Sequence, residues 1–448
     1  MTSLRSFWKH HKSGTVTIGG ALIVIAVATA IFALRYKPAF TIANFYAEDG
    51  RVFTDNVLHK GVLQALTSGF NGYLVVGQYL LLEVVVLIYH LFGLQFYQLP
   101  LVIAAVSCLF LGLTVSLPYL LFRKQLGTPL SVATVLITAF VPMPTFDYAV
   151  IGTIGNLKFA FLYWAVLLIV YRNMHWRELR KVAAVDLLLL ICVFTNAPVV
   201  LVLPFILVPY FHPVVNAVRN KKLSLLIKPT YTSAVAVIII AFIYLGSVYL
   251  LGIPKLPGYL DTPFMVGATL KIAYRVTLYG FMAPVTSSMR DLLTLALLAV
   301  IALRGVWRKE SRFVTVLGLW AIFVATAGFV VNRPGISSYY LSYRSGPDQF
   351  FYAQTLVFIF LVMWLLHNAA AHWHQKQIAI LAAIVALFLW WSVPYSGSFG
   401  KNKIIYQDLG SAKADVAKAC SVPGKNVTMQ IYPAAAWQWS LERDIACK

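Results

Sequence analysis

Charged residues are scarce in this sequence. They make up 11% of its 448 residues, whereas about a quarter of the residues in an ordinary soluble protein are charged. Hydrophobic residues make up 60%, and the mean hydropathy is +0.78. A chain of this composition would be insoluble in water. The composition therefore excludes a cytosolic enzyme, a secreted domain and a disordered chain.

Among the charged residues, the acidic ones are the scarcer. Asp and Glu number 15 against 36 Lys and Arg, which gives a net charge of +21. In a soluble protein this balance would indicate a nucleic-acid partner. In a membrane protein, however, Lys and Arg accumulate in short cytoplasmic loops. The surplus is therefore interpreted mostly as a topology signal, and no nucleic-acid partner is expected.

Several motifs that carry chemistry are missing from the sequence. It contains no Walker A loop, no glycine-rich dinucleotide fingerprint, no HExxH zinc motif and no serine nucleophile elbow. His367, His372 and His374 form a small cluster, but their spacing is not that of a closed metal site. Neither a metal ion nor a cofactor is expected.

The sequence is instead rich in long apolar runs, and runs of about 17–25 residues are candidate transmembrane helices. The clear runs are 15–34, 98–122, 129–143, 155–171, 230–251, 313–331, 349–366 and 377–393, and the shorter ones are 182–195, 197–211 and 291–303. The N-terminus and the basic connections 172–181, 219–228 and 304–312 are assigned to the cytoplasmic side. These assignments predict an all-α polytopic membrane protein with about eleven crossings, within two. The first helix is expected to stay uncleaved, and the C-terminus is expected outside.

Two segments decide the predicted number of crossings. Basic loops on one side must be separated by an even number of spans, so residues 182–211 have to form two short helices that break near Asn196. The run 73–92 contains two polar residues, and a full crossing there would move the basic pair at 123–124 to the outside. We therefore expect residues 73–92 to lie on the outer interface or to be re-entrant.

The four cysteines divide between the two parts of the chain. Cys108 and Cys192 fall within predicted spans and are expected to be small apolar fillers. Cys420 and Cys447 bracket the tail, where an oxidising outer space favours a disulfide. The composition turns soluble near residue 394, so a transmembrane module is predicted over 1–393 and a small extracytoplasmic α/β tail over 394–448. Within the tail, 426–432 is predicted as a strand and 437–439 as a turn or helix.

The predicted outer loop 35–72 contains two adjacent acids, Glu48 and Asp49. Apolar residues recur after them from Val52 to Leu66, with polar residues between, which predicts an amphipathic helix on the membrane surface. Its start would hold both carboxylates at the outer face, where a lipid-borne substrate presents its headgroup. The alternative is that the two acids only begin the helix, because acids are favoured in a first turn.

Candidate phosphate-binding residues lie in two other predicted outer segments. Arg333 and Arg344, the latter beside Tyr343, lie on a loop rich in Gly, Pro, Ser and Tyr. Arginine grips phosphate with two parallel hydrogen bonds. Asn156 and Lys158 lie at the start of a predicted span, where a charge is costly and usually has a partner or a function. The alternative for all three cations is a side chain that extends to lipid headgroups.

Together these features resemble the GT-C-type integral membrane glycosyltransferases. The stretch 45–53, Phe-x-Ala-Glu-Asp-Gly-x-Val-Phe, followed by Gly72-Tyr73-Leu74, is similar to bacterial enzymes that use polyprenyl-phosphate sugars to decorate O-antigen and other surface glycans. The resemblance covers most of the transmembrane module. It implies that a sugar moves from a polyprenyl-phosphate donor to a glycan or lipid-linked acceptor at the periplasmic face of the bacterial inner membrane. It also implies functional partners that make and flip the donor.

The resemblance further implies an inverting displacement in which one carboxylate takes the proton of the acceptor hydroxyl. Successive residues of a helix point about 100° apart, so only one of the two acids would face the sugar. Asp49 is favoured as the base, with Glu48 structuring the loop, and the reverse assignment stays open. The residues expected to bind the donor phosphate or sugar are Arg344, Arg333, Lys158, Asn156 and Tyr343.

Two other classes of function stay open. A transporter or flippase of a lipid-linked glycan would place charges in a cavity at the bilayer midplane, for which Asp186, Glu83 and Lys158 are the candidates. An acyl or phosphoethanolamine-type transferase would rely on a histidine or a metal-bound nucleophile. His59 is the only histidine in the predicted outer segments, which argues against that class.

Overall fold

The apolar runs form helices, because a backbone in lipid must satisfy its hydrogen bonds internally. The computed structural model describes residues 18–41, 45–46, 48–70, 72–141, 150–219, 228–250, 266–277, 287–332, 351–369, 409–424, 426–432 and 438–447. In chain order its α-helices are α1 (Ile18–Arg35), α2 (Asp55–Lys60), α3 (Val62–Thr67), α4 (Val76–Leu91), α5 (Leu99–Leu126), α6 (Thr128–Ala139), α7 (Ala160–Met174), α8 (Leu179–Thr195), α9 (Phe211–Arg219), α10 (Pro229–Leu250), α11 (Val266–Thr277), α12 (Ser287–Trp307), α13 (Lys309–Asn332), α14 (Tyr352–Ala369), α15 (Leu409–Cys420) and α16 (Arg443–Ala446). The strands are β1 (Phe45–Tyr46), β2 (Gly69–Phe70), β3 (Tyr73–Leu74), β4 (Val427–Tyr432) and β5 (Gln438–Leu441).

Six helical segments within the described residues are long and apolar enough to cross a membrane. They are Ile18–Arg35, Phe96–Leu126, Gly155–Met174, Ala197–Arg219, Pro229–Val248 and Lys309–Val330. Shorter apolar helices are Val76–Leu91, Thr128–Ala139, Leu292–Trp307 and Tyr352–Asn368. The architecture is that of an all-α membrane protein, as the sequence predicts. The predicted span 377–393 lies outside the described residues, so the figure of about eleven crossings stays a prediction.

Helix α7 occupies the centre of the bundle and packs against α5, α8, α13 and α14. Most of its side chains are buried, as an apolar helix surrounded by other helices requires. Several helix ends meet at one end of the bundle. The helices that end there are α1, α6 and α8, and those that begin there are α4, α5 and α7. For example, the Arg35 guanidinium at the end of α1 donates to the carbonyl oxygens of Ala139 (2.6 Å) and Val141 (2.8 Å). We call this end of the bundle the site end, because Asp49 lies here.

Helix α4 packs against α5 and α8. It begins at the site end, where the Gly77 N–H donates to Thr195 Oγ1 at the end of α8 (2.7 Å). Its 16 residues make it about 24 Å long. Phe96, five residues beyond its end, is back at the site end with its ring 5.9 Å from that of Phe45. The five residues from Leu91 to Phe96 reach at most about 18 Å. Whether residues 73–92 lie on the outer interface or are re-entrant stays a prediction.

The break predicted near Asn196 is present. Helix α8 ends at Thr195, Asn196 is extended, and a 3-10 helix begins with Ala197. The chain then continues through Leu203–Tyr210 into α9. Pro198 explains why α8 cannot continue, because proline has no N–H to donate to the carbonyl oxygen four residues earlier and its ring would clash with that carbonyl.

The amphipathic helix predicted after the two acids is not continuous. A π-helical turn spans Asp49–Thr54, α2 follows, and the chain then breaks at Gly61, where φ is +71°. Only glycine adopts this conformation readily, and α3 therefore starts in a new direction. Val62 and Leu63 on α3 are exposed, Leu63 to 82%. An exposed apolar turn next to a membrane span is typical of an interfacial helix.

Arg172 corrects the predicted distribution of charge. The sequence assigns it to a cytoplasmic loop, but it lies inside α7 and is fully buried. Its Nε and Nη2 donate to the two carboxylate oxygens of Asp186 on α8, at 2.6 and 3.1 Å. Arg172 is therefore the partner of a buried acid and does not contribute to the loop charge that orients the chain.

The tail is not separate from the loop that carries the acids. The predicted disulfide between Cys420 and Cys447 is present. Strand β4 confirms the predicted strand, whereas residues 438–441 form strand β5 instead of the predicted turn or helix. Strand β1 pairs in parallel with β4, and β4 pairs antiparallel with β5, so residues 45–46 complete the sheet of the tail. The boundary near residue 394 lies outside the described residues.

Candidate active site

Asp49 is the buried centre of the candidate site. Its side chain is 1% exposed, and both carboxylate oxygens accept backbone hydrogen bonds. The Ile154 N–H donates to Oδ2 at 2.8 Å, and the Gly155 N–H donates to Oδ1 at 2.6 Å. These N–H groups belong to the start of the helical segment that leads into α7, where donors lack intrahelical partners. Asp49 thus ties the loop to the central helix from more than a hundred positions away in the sequence.

The π-helical turn orients Asp49 toward α7. Thr54 Oγ1 donates to the backbone carbonyl oxygen of Asp49, which closes the turn. Phe53 is buried inside it, with its ring edge-on to Phe70 (5.0 Å) and to Tyr79 on α4 (5.8 Å). Asn56 Nδ2 also donates to the Tyr79 hydroxyl at 2.7 Å. Single π-helical turns are rare and often occur at functional sites.

The environment of Asp49 favours its protonated form. Burial, the largest influence, and the neighbouring charge of Glu48 raise its pKa from the ordinary value of 3.8 to about 7. The hydrogen bonds from Ile154 and Gly155 and the positive charge of Lys158 act in the opposite direction. Desolvation outweighs them because a charged carboxylate loses the hydration that the unfolded chain provides.

This raised pKa predicts a specific pH dependence of stability. Between about pH 4 and pH 7 the folded protein keeps a proton on Asp49 that the unfolded chain has released, so the unfolding free energy falls as the pH rises. The Asp49→Asn variant cannot release that proton. Thermal unfolding midpoints in detergent, measured for both proteins across this range, should therefore show a decline with pH that is steeper in the wild type. Parallel curves would contradict the prediction.

Glu48 differs from its neighbour in exposure. Its side chain is half-buried and takes part in no hydrogen bond among the described residues. Since the charge of Glu48 acts on the Asp49 carboxylate, the two acids form a pair in which one is enclosed and the other is accessible. A group that takes a proton from a substrate must come within hydrogen-bond reach of that substrate. The half-buried Glu48 is open to such an approach, whereas the enclosed Asp49 is not.

Lys158 brings a positive charge to the same site. Its Nζ lies over three aromatic rings: 5.6 Å from Phe70, 5.5 Å from Tyr73 and 5.3 Å from Phe159. Its backbone carbonyl oxygen accepts a hydrogen bond from Asn196 Nδ2 at 3.1 Å. Lys158 is half-buried, and the cation–π contacts hold its ammonium group in place. Asn156, two residues earlier, is also half-buried.

The structure brings together four of the residues that the sequence singled out: Glu48, Asp49, Asn156 and Lys158. Arg333, Tyr343 and Arg344 lie outside the described residues, and their predicted roles stay predictions. Within the described ranges, no group of three or more His, Cys, Asp and Glu side chains could hold a metal ion.

Gln78 belongs to the site and was not among the predicted site residues. It is fully buried near the start of α4, and its Nε2 donates to the Gly155 carbonyl oxygen at 3.2 Å. Gly155 is therefore held at both backbone groups, since its N–H donates to Asp49 and its carbonyl oxygen accepts from Gln78. The sequence contained a signal for this role, because Gln78 is a polar residue inside an otherwise apolar run.

Gly155 leaves no room for a side chain. An ideal Cβ there would lie 2.8 Å from Asp49 Oδ1 and 3.1 Å from Phe53 Cε2. We expect Gly155→Ala to push Asp49 away and to cost about 1–3 kcal/mol of stability, as overpacked substitutions do. Gly246→Ala is the matched control, since a Cβ there meets nothing within 4 Å. Thermal unfolding of both variants checks the prediction, and equal midpoints would contradict it.

No protein-family model matches the chain. A search of curated proteins found no significant match.

Proposed function

We propose that this protein is a membrane glycosyltransferase of the GT-C type. It transfers a sugar from a polyprenyl-phosphate donor to a glycan or lipid-linked acceptor at the outer face of a bacterial cytoplasmic membrane. The observation that carries the proposal is the pairing of the accessible Glu48 with the buried, anchored Asp49, next to the cationic Lys158. This pair lies at one end of a bundle of apolar helices, where a lipid headgroup would lie.

The two acids take different roles in the proposed reaction. Glu48 accepts the proton of the acceptor hydroxyl, and the oxygen then attacks the anomeric carbon. Asp49 holds the π-helical turn against Ile154 and Gly155, so it positions Glu48 without taking the substrate proton. This reverses the preference drawn from the sequence, because Asp49 is enclosed and both of its oxygens already accept hydrogen bonds.

The positive charge at the site supports the departure of the phosphate. As the new glycosidic bond forms, the bond between the anomeric carbon and the phosphate oxygen breaks, and polyprenyl phosphate leaves with the bonding electrons. Lys158 compensates the charge that develops on that oxygen, and fixed cations of this kind lower the barrier. A single displacement of this type inverts the anomeric configuration. Arg333 and Arg344 remain proposed contacts of the same phosphate.

An assay with defined donors tests the proposal. The protein is reconstituted in lipid nanodiscs with a panel of polyprenyl-phosphate hexoses and bacterial glycolipids as acceptors, and released polyprenyl phosphate is measured by mass spectrometry. We expect release in amounts equal to the glycosylated product for at least one donor. Intact donors throughout, together with movement of a fluorescent lipid-linked glycan across vesicles that contain the protein, would instead indicate a transporter or flippase.

A further inference from the structure

The tail is bound to the loop that carries the acidic pair. Strand β1 pairs with β4, with Phe45 opposite Ile431 and Tyr46 opposite Tyr432. Helix α15 of the tail also packs against the turn Phe96–Gln98 that precedes α5. We call the described parts of residues 409–447 the tail unit. The disulfide joins Cys420 at the end of α15 to Cys447 after α16, so it links the two ends of the segment that contains β4 and β5.

Trp439 is the side chain through which the tail unit contacts the π-helical turn. It is 3% exposed, and its ring packs edge-on against Phe45 (4.9 Å) and Phe96 (5.2 Å). Its Nε1 donates to Asp55 Oδ1 at 3.0 Å. A Cβ on Gly50 would lie 3.2 Å from Trp439 Cε3, so the indole rests directly on the residue after Asp49. Trp439 therefore touches the turn near both of its ends.

We infer that Trp439 is a positioning residue for the acidic pair. It clamps the turn between Gly50 and Asp55, so that Asp49 stays bonded to the start of the α7 segment and Glu48 stays in place. The tail unit is then part of the active site of this chain and not a separate recognition module. The consequence for turnover rests on the proposed function, whereas the conformational consequence does not.

A different role for Trp439 is that it only fills the core of the tail unit. In that case its removal would loosen β4 and β5 and leave residues 48–56 as they are. The two roles therefore predict local opening in different segments after Trp439 is replaced: residues 48–56 for the clamp, and only β4 and β5 for the core filler. Hydrogen exchange resolves this difference, because it reports local opening segment by segment.

The test compares Trp439→Phe, Trp439→Ala and Trp307→Phe in the full-length protein in nanodiscs. Trp439→Phe keeps a ring but loses the N–H that binds Asp55, and it keeps the experiment informative if the alanine variant fails to fold. Trp307 is 81% exposed and serves as the matched control. We expect exchange in a peptide covering residues 48–56 to rise about tenfold or more in both Trp439 variants. The control and the α7 peptide should stay at wild-type rates.

Exchange that rises only in β4 and β5, with residues 48–56 unchanged, would overturn the clamp. In the donor assay, we expect Trp439→Phe to lower kcat with little change in the KM for the donor. If kcat/KM instead fell only because the KM for the donor rose, with kcat unchanged, the positioning role would also be overturned. If the wild-type protein consumes no donor, the proposed function fails, but the exchange experiment still decides whether Trp439 holds the turn.

Discussion

Replacing Glu48 by Gln should lower the turnover of polyprenyl-phosphate sugar by about 10²- to 10⁴-fold, the range that a general base contributes. The isosteric amide cannot take the proton of the acceptor hydroxyl. The thermal unfolding midpoint and the KM for the donor should change little, because Glu48 is half-buried and accepts no hydrogen bond among the described residues. Donor consumption in nanodiscs and unfolding in detergent measure the two properties.

Two matched variants separate this effect from a general loss of charge or of structure. Glu310→Gln, on an exposed residue at the start of α13, should keep both activity and midpoint. Asp49→Asn should lower activity and midpoint together at acidic pH, because it disturbs the bonds to Ile154 and Gly155. A fully active Glu48→Gln beside a stable but inactive Asp49→Asn would move the role of base to Asp49. Full activity in both would exclude this pair from catalysis.

The long helices were predictable because a membrane leaves few options for an apolar run. The predicted span 230–251 is observed as Pro229–Leu250, and 98–122 lies inside Leu99–Leu126 apart from its first residue. In hydrocarbon every backbone group must be paired within the segment, so a long apolar run becomes a helix whatever its neighbours are. Local sequence therefore decides these elements.

The site depends on contacts that no local pattern shows. Asp49 bonds to residues more than a hundred positions later, and β1 pairs with a strand nearly four hundred positions away. The sequence identified the acids and Lys158 by their residue types, yet it left open which acid is enclosed. Exposure depends on the packing of α4, α7 and the tail unit around the loop. The hydrophobic periodicity of residues 52–66 also failed to predict the break at Gly61. Periodicity indicates which face of a helix is apolar, but it does not indicate where a residue adopts a positive φ.

Arg172→Leu should cost about 3–5 kcal/mol of stability, the expected result of removing one partner of a buried ion pair. Asp186 would lose both hydrogen bonds from the guanidinium, with Ser233 Oγ as its remaining donor among the described residues. Arg172 Nη2 also donates to the Thr230 carbonyl oxygen at 3.1 Å, so α7, α8 and α10 would loosen together. Thermal unfolding should reveal a large drop in the midpoint, whereas Arg180→Leu, on an exposed residue of α8, should have little effect.

The double variant Arg172→Leu with Asp186→Leu shows whether the pair is structural. Two leucines leave no charge in the bundle, and replacing a buried ion pair by apolar residues is often neutral or stabilising. We therefore expect the double variant to recover most of the lost midpoint and to keep wild-type donor consumption, because the pair lies at the end of α7 opposite to Asp49. A transport pathway through Asp186 predicts the reverse. In that case Asp186→Asn would fold normally but abolish movement of a lipid-linked glycan, and the double variant would be inactive however stable it is.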